Sequence, residues 1–331
     1  MKRQSWILLV VMVLVLAIAF TGCSKKETPA ATTTAQAAPA AVQAAPATQT
    51  APAAAPAPVK PALDKDAVLL SAAKTYFTQL SQGNNMISAK DLKAALDDNP
   101  DVLFIIDIRS AKDFETSHIS GAYHSEWAKL GEVMEKIPQN RQVIVACYSG
   151  QTAGQAVATL RLAGFTNVKS LMSGINNGWK AAEFALEGTG MNALADQPSV
   201  SSAKNEEQEI LWAAAKENFV KVGTEGNRFI QGQELYDQLE ANPKAFKVFD
   251  IRSKEDFDKG HIAGAVHSVW AQFGNVLDTL DKSDRIVVAC YSGQTSGQTV
   301  GILRALGFSN AYTLASGIPN GWVAKNLPLV Q

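Results

Sequence analysis

Two kinds of apolar spacing alternate along most of the chain. Asp66 to Leu80 repeats its apolar residues with a helical period, whereas Val102 to Ile106 is an unbroken apolar run. A short continuous run of this kind suits a strand buried on both faces. Ser88-Ala89-Lys90-Asp91 reads as an N-cap box opening a helix to Leu96, and Ser110 as the cap of a short helix ending near Ser117. Trp127 to Ile137 is amphipathic. A β-branched strand follows at Val143 to Ala146, then a helix-compatible stretch at Ala153 to Leu162, a short strand at Val168 to Leu171, and a last helix from about Ile175. Strands separated by helices predict an α/β layer fold with a parallel sheet.

The whole pattern then occurs again. Asp107-Ile108-Arg109-Ser110 returns 143 positions later as Asp250-Ile251-Arg252-Ser253. His118-Ile119-Ser120-Gly121-Ala122 returns as His261-Ile262-Ala263-Gly264-Ala265, Trp127 as Trp270, and Gly174-Ile175 to Gly178-Trp179 as Gly317-Ile318 to Gly321-Trp322. One offset joins all these anchors, which marks duplication of a whole domain rather than a solenoid of short units. The first unit is read as residues 66–187 and the second as 207–331. Between them, 188–206 carries Gly188, Gly190, Pro198 and a serine run, and reads as a linker.

The N-terminal segment departs from this pattern. Lys2 and Arg3 precede an uninterrupted apolar run from Trp6 to Phe20, and small residues then lead into Cys23. The run is short for a bilayer span, which needs roughly 20 residues. The segment resembles a bacterial lipoprotein signal peptide, residues 1–22, cleaved before Cys23. That resemblance implies lipid on the Cys23 thiol and new amino group. With Ser24 following, it also implies an outer-membrane location facing the periplasm in a Gram-negative host. Residues 23–65 are dominated by Ala, Pro, Thr and Gln, lack a hydrophobic period, and are expected to form a disordered, semi-extended tether.

Composition narrows the function. The net charge of −1 over 331 residues offers no attraction to nucleic acid or another polyanion. Three cysteines, Cys23, Cys147 and Cys290, are too few for a disulfide scaffold.

The most informative stretch is Val145-Ala146-Cys147-Tyr148-Ser149-Gly150-Gln151-Thr152, repeated letter for letter as Val288-Ala289-Cys290-Tyr291-Ser292-Gly293-Gln294-Thr295. Each cysteine stands where a buried strand stops and a helix is about to start, the place where parallel sheets bind ligands. The backbone N–H groups of such a loop, beside the helix N-terminus, suit a thiolate or the second sulfur of a persulfide. Cys147 and Cys290 are therefore the candidate nucleophiles. Tyr148, Ser149, Gly150, Gln151 and Thr152 are the candidate substrate-binding residues of one loop, and Tyr291, Ser292, Gly293, Gln294 and Thr295 those of the other.

Asp-x-Arg at a strand end, Phe-x-x-x-His-Ile-x-Gly-Ala, a strand ending in Cys-x-x-Gly, and a Gly-Ile ending with Trp, in that order, resemble the rhodanese family of sulfurtransferases across nearly all of both units. The resemblance implies two tandem α/β domains, each a central parallel sheet of about five strands flanked by helices. It also implies that Cys147 and Cys290 accept sulfane sulfur from a donor such as thiosulfate and pass it to cyanide or a thiol through a persulfide. No cofactor is implied. His118 and His261 follow a helix with no second ligand at metal spacing, so no metal is expected there.

Two departures from the family matter. Catalytic members often carry Arg or Lys in the loop, at the position held here by Thr152 and Thr295. Arg109 and Arg252 are then the candidates for binding an anionic donor, with a structural pair to Glu115 or Asp258 as their other reading. In addition, both units keep the cysteine, whereas in familiar two-domain members the first unit lacks it. A carrier, sensor or protein-binding module without turnover is the alternative function. The related phosphatases need an Arg six positions after the cysteine, where this chain has Ala153 and Ser296.

Overall fold

The computed structural model describes residues 62–188 and 190–331. The segment expected to be a leader, Cys23 and nearly all of the expected tether lie outside them. Among the described residues no helix is long and apolar enough to cross a membrane.

The first half runs α1 (Lys65–Gln79), β1 (Met86–Ile87), α2 (Ala89–Asp98), β2 (Leu103–Asp107), α3 (Ala111–Thr116), β3 (Tyr123–His124), β4 (Gln142–Ala146), α4 (Gln151–Leu162) and β5 (Val168–Leu171). The second half repeats it as α5 (Glu206–Glu225), β6 (Phe229–Ile230), α6 (Gly232–Ala241), β7 (Lys247–Asp250), α7 (Lys254–Lys259), β8 (Val266–His267), β9 (Ile286–Ala289), α8 (Gln294–Ala305) and β10 (Ala311–Leu314). Each half forms a five-stranded sheet, in the orders β1-β5-β4-β2-β3 and β6-β10-β9-β7-β8. Every ladder is parallel. The expected α/β architecture with two sheets of five is what the chain adopts.

The helix caps follow the sequence. The Ser88 hydroxyl accepts from the Asp91 amide, and Ser110 from that of Asp113. Strand β2 is buried throughout. Leu103 and Ile105 face an outer core with Phe114 and Trp179, while Phe104 and Ile106 face an inner core with Phe165. The amphipathic stretch from Trp127 forms two 3-10 turns, Trp127–Glu132 and Met134–Lys136, instead of an α-helix. Gly131 interrupts it, pressed so close to α5 that a Cβ there would lie 3.1 Å from the Lys216 Cα. The stretch from Ile175 likewise makes a single π-type turn, Ile175–Trp179, and then a 3-10 turn, Lys180–Ala182.

Packing crosses the division between repeats. Phe77 and Tyr76 of α1 belong to one core with Phe249, Phe273 and Val288 of the second repeat. Conversely, Trp212, Ala215 and Phe219 of α5 belong to the inner core of the first sheet with Phe104, Val143 and Val145. Each repeat thus lends its opening helix to the other repeat's sheet. The segment before α5 also lies on the first repeat: Leu194 is buried in its core, and the Val200 and Ser201 amides donate to the Glu135 carbonyl.

Helices α4 and α8 meet at the centre of the molecule. A Cβ at Gly154 would lie 2.5 Å from the Gln294 carbonyl oxygen, and one at Gly297 would lie 2.7 Å from that of Gln151. Only glycine permits so close a backbone approach. The contact sets the N-termini of the two helices side by side, directly beneath the two cysteine loops.

Candidate active site

Central strand β4 delivers Cys147 at its carboxyl end, and α4 starts four residues later. The Cys147 sulfur behaves as the helix cap, accepting from the amides of Gly150 at 3.1 Å and Ala153 at 3.3 Å. Among the described residues, no protein acceptor meets the amides of Ser149, Gln151 and Thr152, which complete the loop and the first helical turn. Cys290 repeats this, with the amides of Gly293 at 3.1 Å and Ser296 at 3.4 Å. Both thiols are free, and each cysteine is 1% exposed. Converging N–H donors beside a helix N-terminus favour a sulfur that carries negative charge.

A clamp from behind shapes each loop. After β5 the chain turns through Ser173 and Gly174, both at positive φ, 60° and 64°. The Ile175 amide then donates to the Cys147 carbonyl at 2.8 Å, and the Asn176 amide to the Tyr148 carbonyl at 2.9 Å. A Cβ on Gly174 would lie 2.6 Å from the Cys147 carbonyl oxygen and from the Ser149 and Gly150 amides, so the turn fits flush against the loop. In the second site Ile318 grips the Cys290 carbonyl at 2.8 Å. Pro319 stands in place of Asn176 and has no N–H to give. The repeated Gly-Ile motif, visible in the sequence as a family ending, thus serves as the back wall of the site.

Arg109 and Arg252 sit below the loops. Arg109 donates through Nε and Nη2 to Asp107, with Nη2–Oδ2 at 2.7 Å, and through Nη2 to the Ser117 carbonyl at 2.5 Å. Arg252 does the same with Asp250, at 2.7 Å, and the Gly260 carbonyl, also at 2.7 Å. The Arg109 side chain is 3% exposed and that of Asp107 1%. The ion-pair partners are therefore Asp107 and Asp250, two residues back in the motif, and not Glu115 or Asp258. Each aspartate also accepts the amide of its own arginine, at 3.0 Å in both repeats. The link from Arg109 to the loop is the Tyr148 ring, whose centroid lies 5.8 Å from the guanidinium carbon.

Tyr148 forms the outer rim of the loop, 40% exposed. Its hydroxyl accepts from the Ser110 amide at 3.1 Å and donates to Asp113 Oδ2 at 2.5 Å. Hydrogen bonds from Ser110 and Tyr148 hold the Asp113 carboxyl below the usual range. Tyr291 repeats the contact with Asp256, at 2.6 Å. There Tyr291, Ser253 and Lys259 bring the carboxyl down to about 2. Both carboxylates are ionised at neutral pH, so each rim carries negative charge.

The histidines are absorbed by packing. His118 Nδ1 bonds the Phe114 carbonyl at 2.8 Å, and its ring stacks on Phe114; His261 treats Phe257 the same way. His124 and His267 hold the carbonyls of Arg109 and Arg252 at 2.9 and 3.0 Å. Among the described residues no group of three or more His, Cys, Asp or Glu side chains is placed to hold a metal ion.

Gln151 and Gln294 turn away from their own sulfurs and reach across the centre of the molecule. Gln151 Oε1 accepts the Ser316 amide at 3.0 Å, while its Nε2 donates to Ser149 Oγ at 3.1 Å. Gln294 Oε1 accepts the Ser173 amide at 3.1 Å, and its Nε2 donates to Ser170 Oγ at 2.9 Å and the Leu171 carbonyl at 3.1 Å. Thr152 and Thr295 remain half-buried at the second helical position.

One residue that touches the sulfur escaped the sequence reading. Ser296 Oγ lies 3.2 Å from the Cys290 sulfur, where the first site has Ala153. The signal was available as a single mismatch directly after the identical octapeptide. The Cys290 thiol donates to Ser296 Oγ, and in the thiolate the hydroxyl turns to donate instead, a bond that contributes about 1.5 kcal/mol or more. At mildly acidic pH, Ala153→Ser is expected to raise the iodoacetamide rate of Cys147 about three- to tenfold by such a bond. Ser296→Ala should lower that of Cys290 comparably. Peptide-resolved mass spectrometry reads both rates, and unchanged rates in both variants would remove any influence of the hydroxyl.

The sequence resembles known proteins. The model of the rhodanese-like domain matches residues 88–182 and 232–325. Thiosulfate sulfurtransferase GlpE from Glaesserella parasuis is 34% identical over 100 residues, 30% of this chain and 90% of that protein. The uncharacterised protein YibN from Escherichia coli K12 is 34% identical over 87 residues, 25% of this chain and 60% of that protein. A crystal structure of SseA from Escherichia coli, a 3-mercaptopyruvate sulfotransferase, aligns at 20% identity over 70% of this chain and 97% of that one, with a TM-score of 0.35.

Proposed function

The chain belongs to the rhodanese-like domain family, and on that premise we propose that it is a sulfurtransferase with two persulfide-forming sites, Cys147 and Cys290. The observation that carries the reading is the ring of amides around each sulfur. With thiosulfate as donor, the cysteine thiolate attacks the outer sulfur. A new S–S bond forms, the old one breaks, and its electron pair leaves on sulfite. Cyanide or a thiolate then attacks the terminal sulfur of the persulfide and releases the cysteine thiolate, in two covalent half-reactions. Three loop amides without a protein acceptor support a second sulfur within the ring.

A second reading, a persulfide carrier or sensor without thiosulfate turnover, is favoured by the charges. Arg109 and Arg252 are neutralised by Asp107 and Asp250, and each rim bears a carboxylate. Against this, the adjacent N-termini of α4 and α8 each present a partial positive charge of about half a unit. Lipid at Cys23 and an envelope location, periplasmic in a Gram-negative host, belong to the same proposal and are supported by the basic start and apolar run of the N-terminal segment.

Intact mass of the full chain purified from membranes tests these points together. Thiosulfate is expected to add two sulfur atoms, one lost in Cys147→Ala and the other in Cys290→Ala. The chain is expected to begin at a lipid-bearing Cys23. A thiosulfate:cyanide assay on the same sample separates the two readings, since loading without thiocyanate release selects the carrier. If neither thiol gains sulfur, the enzyme reading fails.

A further inference from the structure

We propose that Gln294, although it sits in the loop of Cys290, is a positioning residue for Cys147, and that the two sites are set in trans by exchanged glutamines. The proposal takes the two cysteines as the reactive groups, as above, but needs no particular sulfur donor.

Gln294 is buried, and three polar contacts tie its side chain to the other repeat: the Ser173 amide, the Ser170 hydroxyl and the Leu171 carbonyl. All three belong to the end of β5 and the turn behind the Cys147 loop. That turn is strained, because Ser173 holds φ at 60° immediately before a positive-φ glycine. A non-glycine residue in this region is uncommon and persists only where its surroundings over-determine it. The Gln294 side-chain oxygen Oε1 supplies that determination by taking the Ser173 amide.

The turn then acts on the reactive loop. Ile175 and Asn176, the second and third residues after Ser173, donate to the carbonyls of Cys147 and Tyr148. Those two bonds fix the peptide planes that aim the loop amides inward. The route from Gln294 to Cys147 is therefore one side chain, one strained turn and two backbone bonds. The Gln294 side chain also presses on the loop from outside, since a Cβ on Gly150 would lie 2.7 Å from it.

The reverse connection exists and is weaker. Gln151 makes a single cross-repeat bond, to the Ser316 amide. Ser316 is also at positive φ, 61°. Only Ile318 grips the second loop, because Pro319 has no amide proton. Control of Cys147 by Gln294 is thus the stronger arm of a reciprocal pair.

The test uses the full chain and measures iodoacetamide alkylation of each cysteine separately by peptide mass spectrometry. Gln294→Leu keeps the volume and removes every hydrogen bond. The expected result is at least a fivefold change in the Cys147 rate, about 1 kcal/mol, with Cys290 within twofold of wild type. Gln294→Glu keeps an acceptor for the Ser173 amide but loses the donor to the Leu171 carbonyl, and should recover only part of the Cys147 rate. A change at Cys290 alone, equal changes at both, or no change at either overturns the proposal. If Gln294→Leu fails to fold, Ser170→Ala removes one of the contacts from the opposite side and should move Cys147 in the same direction by a smaller factor. An unchanged Cys147 rate in that variant overturns the proposal too. Alkylation requires no sulfur donor. A chain that never gains sulfur from thiosulfate yet shows this asymmetry would refute the sulfurtransferase reading and leave the trans positioning intact.

Discussion

Asp107→Ala is expected to cost the chain about 3–5 kcal/mol of stability, because it leaves a buried guanidinium without its counter-charge. Arg109 is nearly inaccessible to water, and Asp107 takes both its Nε and Nη2 donors as well as its amide. Among the described residues Asp113 does not replace it, being committed to Tyr148 and Ser110. Replacing both members, as Asp107→Leu with Arg109→Met, removes the stranded charge and should recover part of the loss. Recovery stays incomplete because the Ser117 carbonyl and the residue 109 amide lose partners, at about 1–3 kcal/mol for each that stays buried. Urea unfolding followed by circular dichroism measures all three proteins. A single-variant cost below about 1 kcal/mol would show that water or another group reaches Arg109, and would return it to the candidates for binding an anionic donor.

The same pair shows which parts of the site are legible in the sequence. Asp107, Arg109 and Cys147 could all be placed at strand ends, because a continuous apolar run fixes where a buried strand stops. The direction of the Arg109 side chain could not be read. Glu115 lies at an equally plausible spacing, and only the turn after β2 brings Asp107 back onto the guanidinium. Gln151 and Gln294 posed the opposite problem. Polar side chains in a reactive loop suggest substrate contacts, yet here they bind the other repeat. Their cue was Gly154 and Gly297, each three residues further on. Glycine inside a helix costs about 1 kcal/mol relative to alanine, so its presence in the first turn of both helices signals a close backbone approach. The identity of the two octapeptides therefore has two causes, the chemistry around sulfur in its first half and the contact between repeats in its second.

The exchange of opening helices was beyond the reach of periodicity. A 3.6-residue apolar pattern states that α1 has a face to bury and leaves open which sheet covers it. Phe77 and Phe219 occupy matching places in matching helices, so either pairing satisfies the pattern. The structure selects the crossed one.

Crossed packing has a direct consequence. Phe219→Ala is expected to destabilise the chain by about 3–5 kcal/mol, the range for deleting a buried aromatic ring, and the damage should appear in the first sheet. Phe219 is fully buried in the core that holds Phe104, Val143, Val145 and Cys147. Its Cβ also lies where a side chain on Gly131 would have to go. Native-state hydrogen exchange should therefore show β2 and β4 losing more protection than β7 and β9. Phe77→Ala should reverse the order, because Phe77 packs edge to face with Tyr76 and against Phe273 of the second repeat. Loss centred on β7 and β9 in Phe219→Ala would mean that each helix covers its own sheet, and the crossed core would be wrong. The expected pattern ties the stability of each sheet to the opening helix of the other repeat. The loops are held side by side by the same packing: α1 and α5 join the two cores, and the glycine contact of α4 with α8 brings the helix starts beneath the loops together.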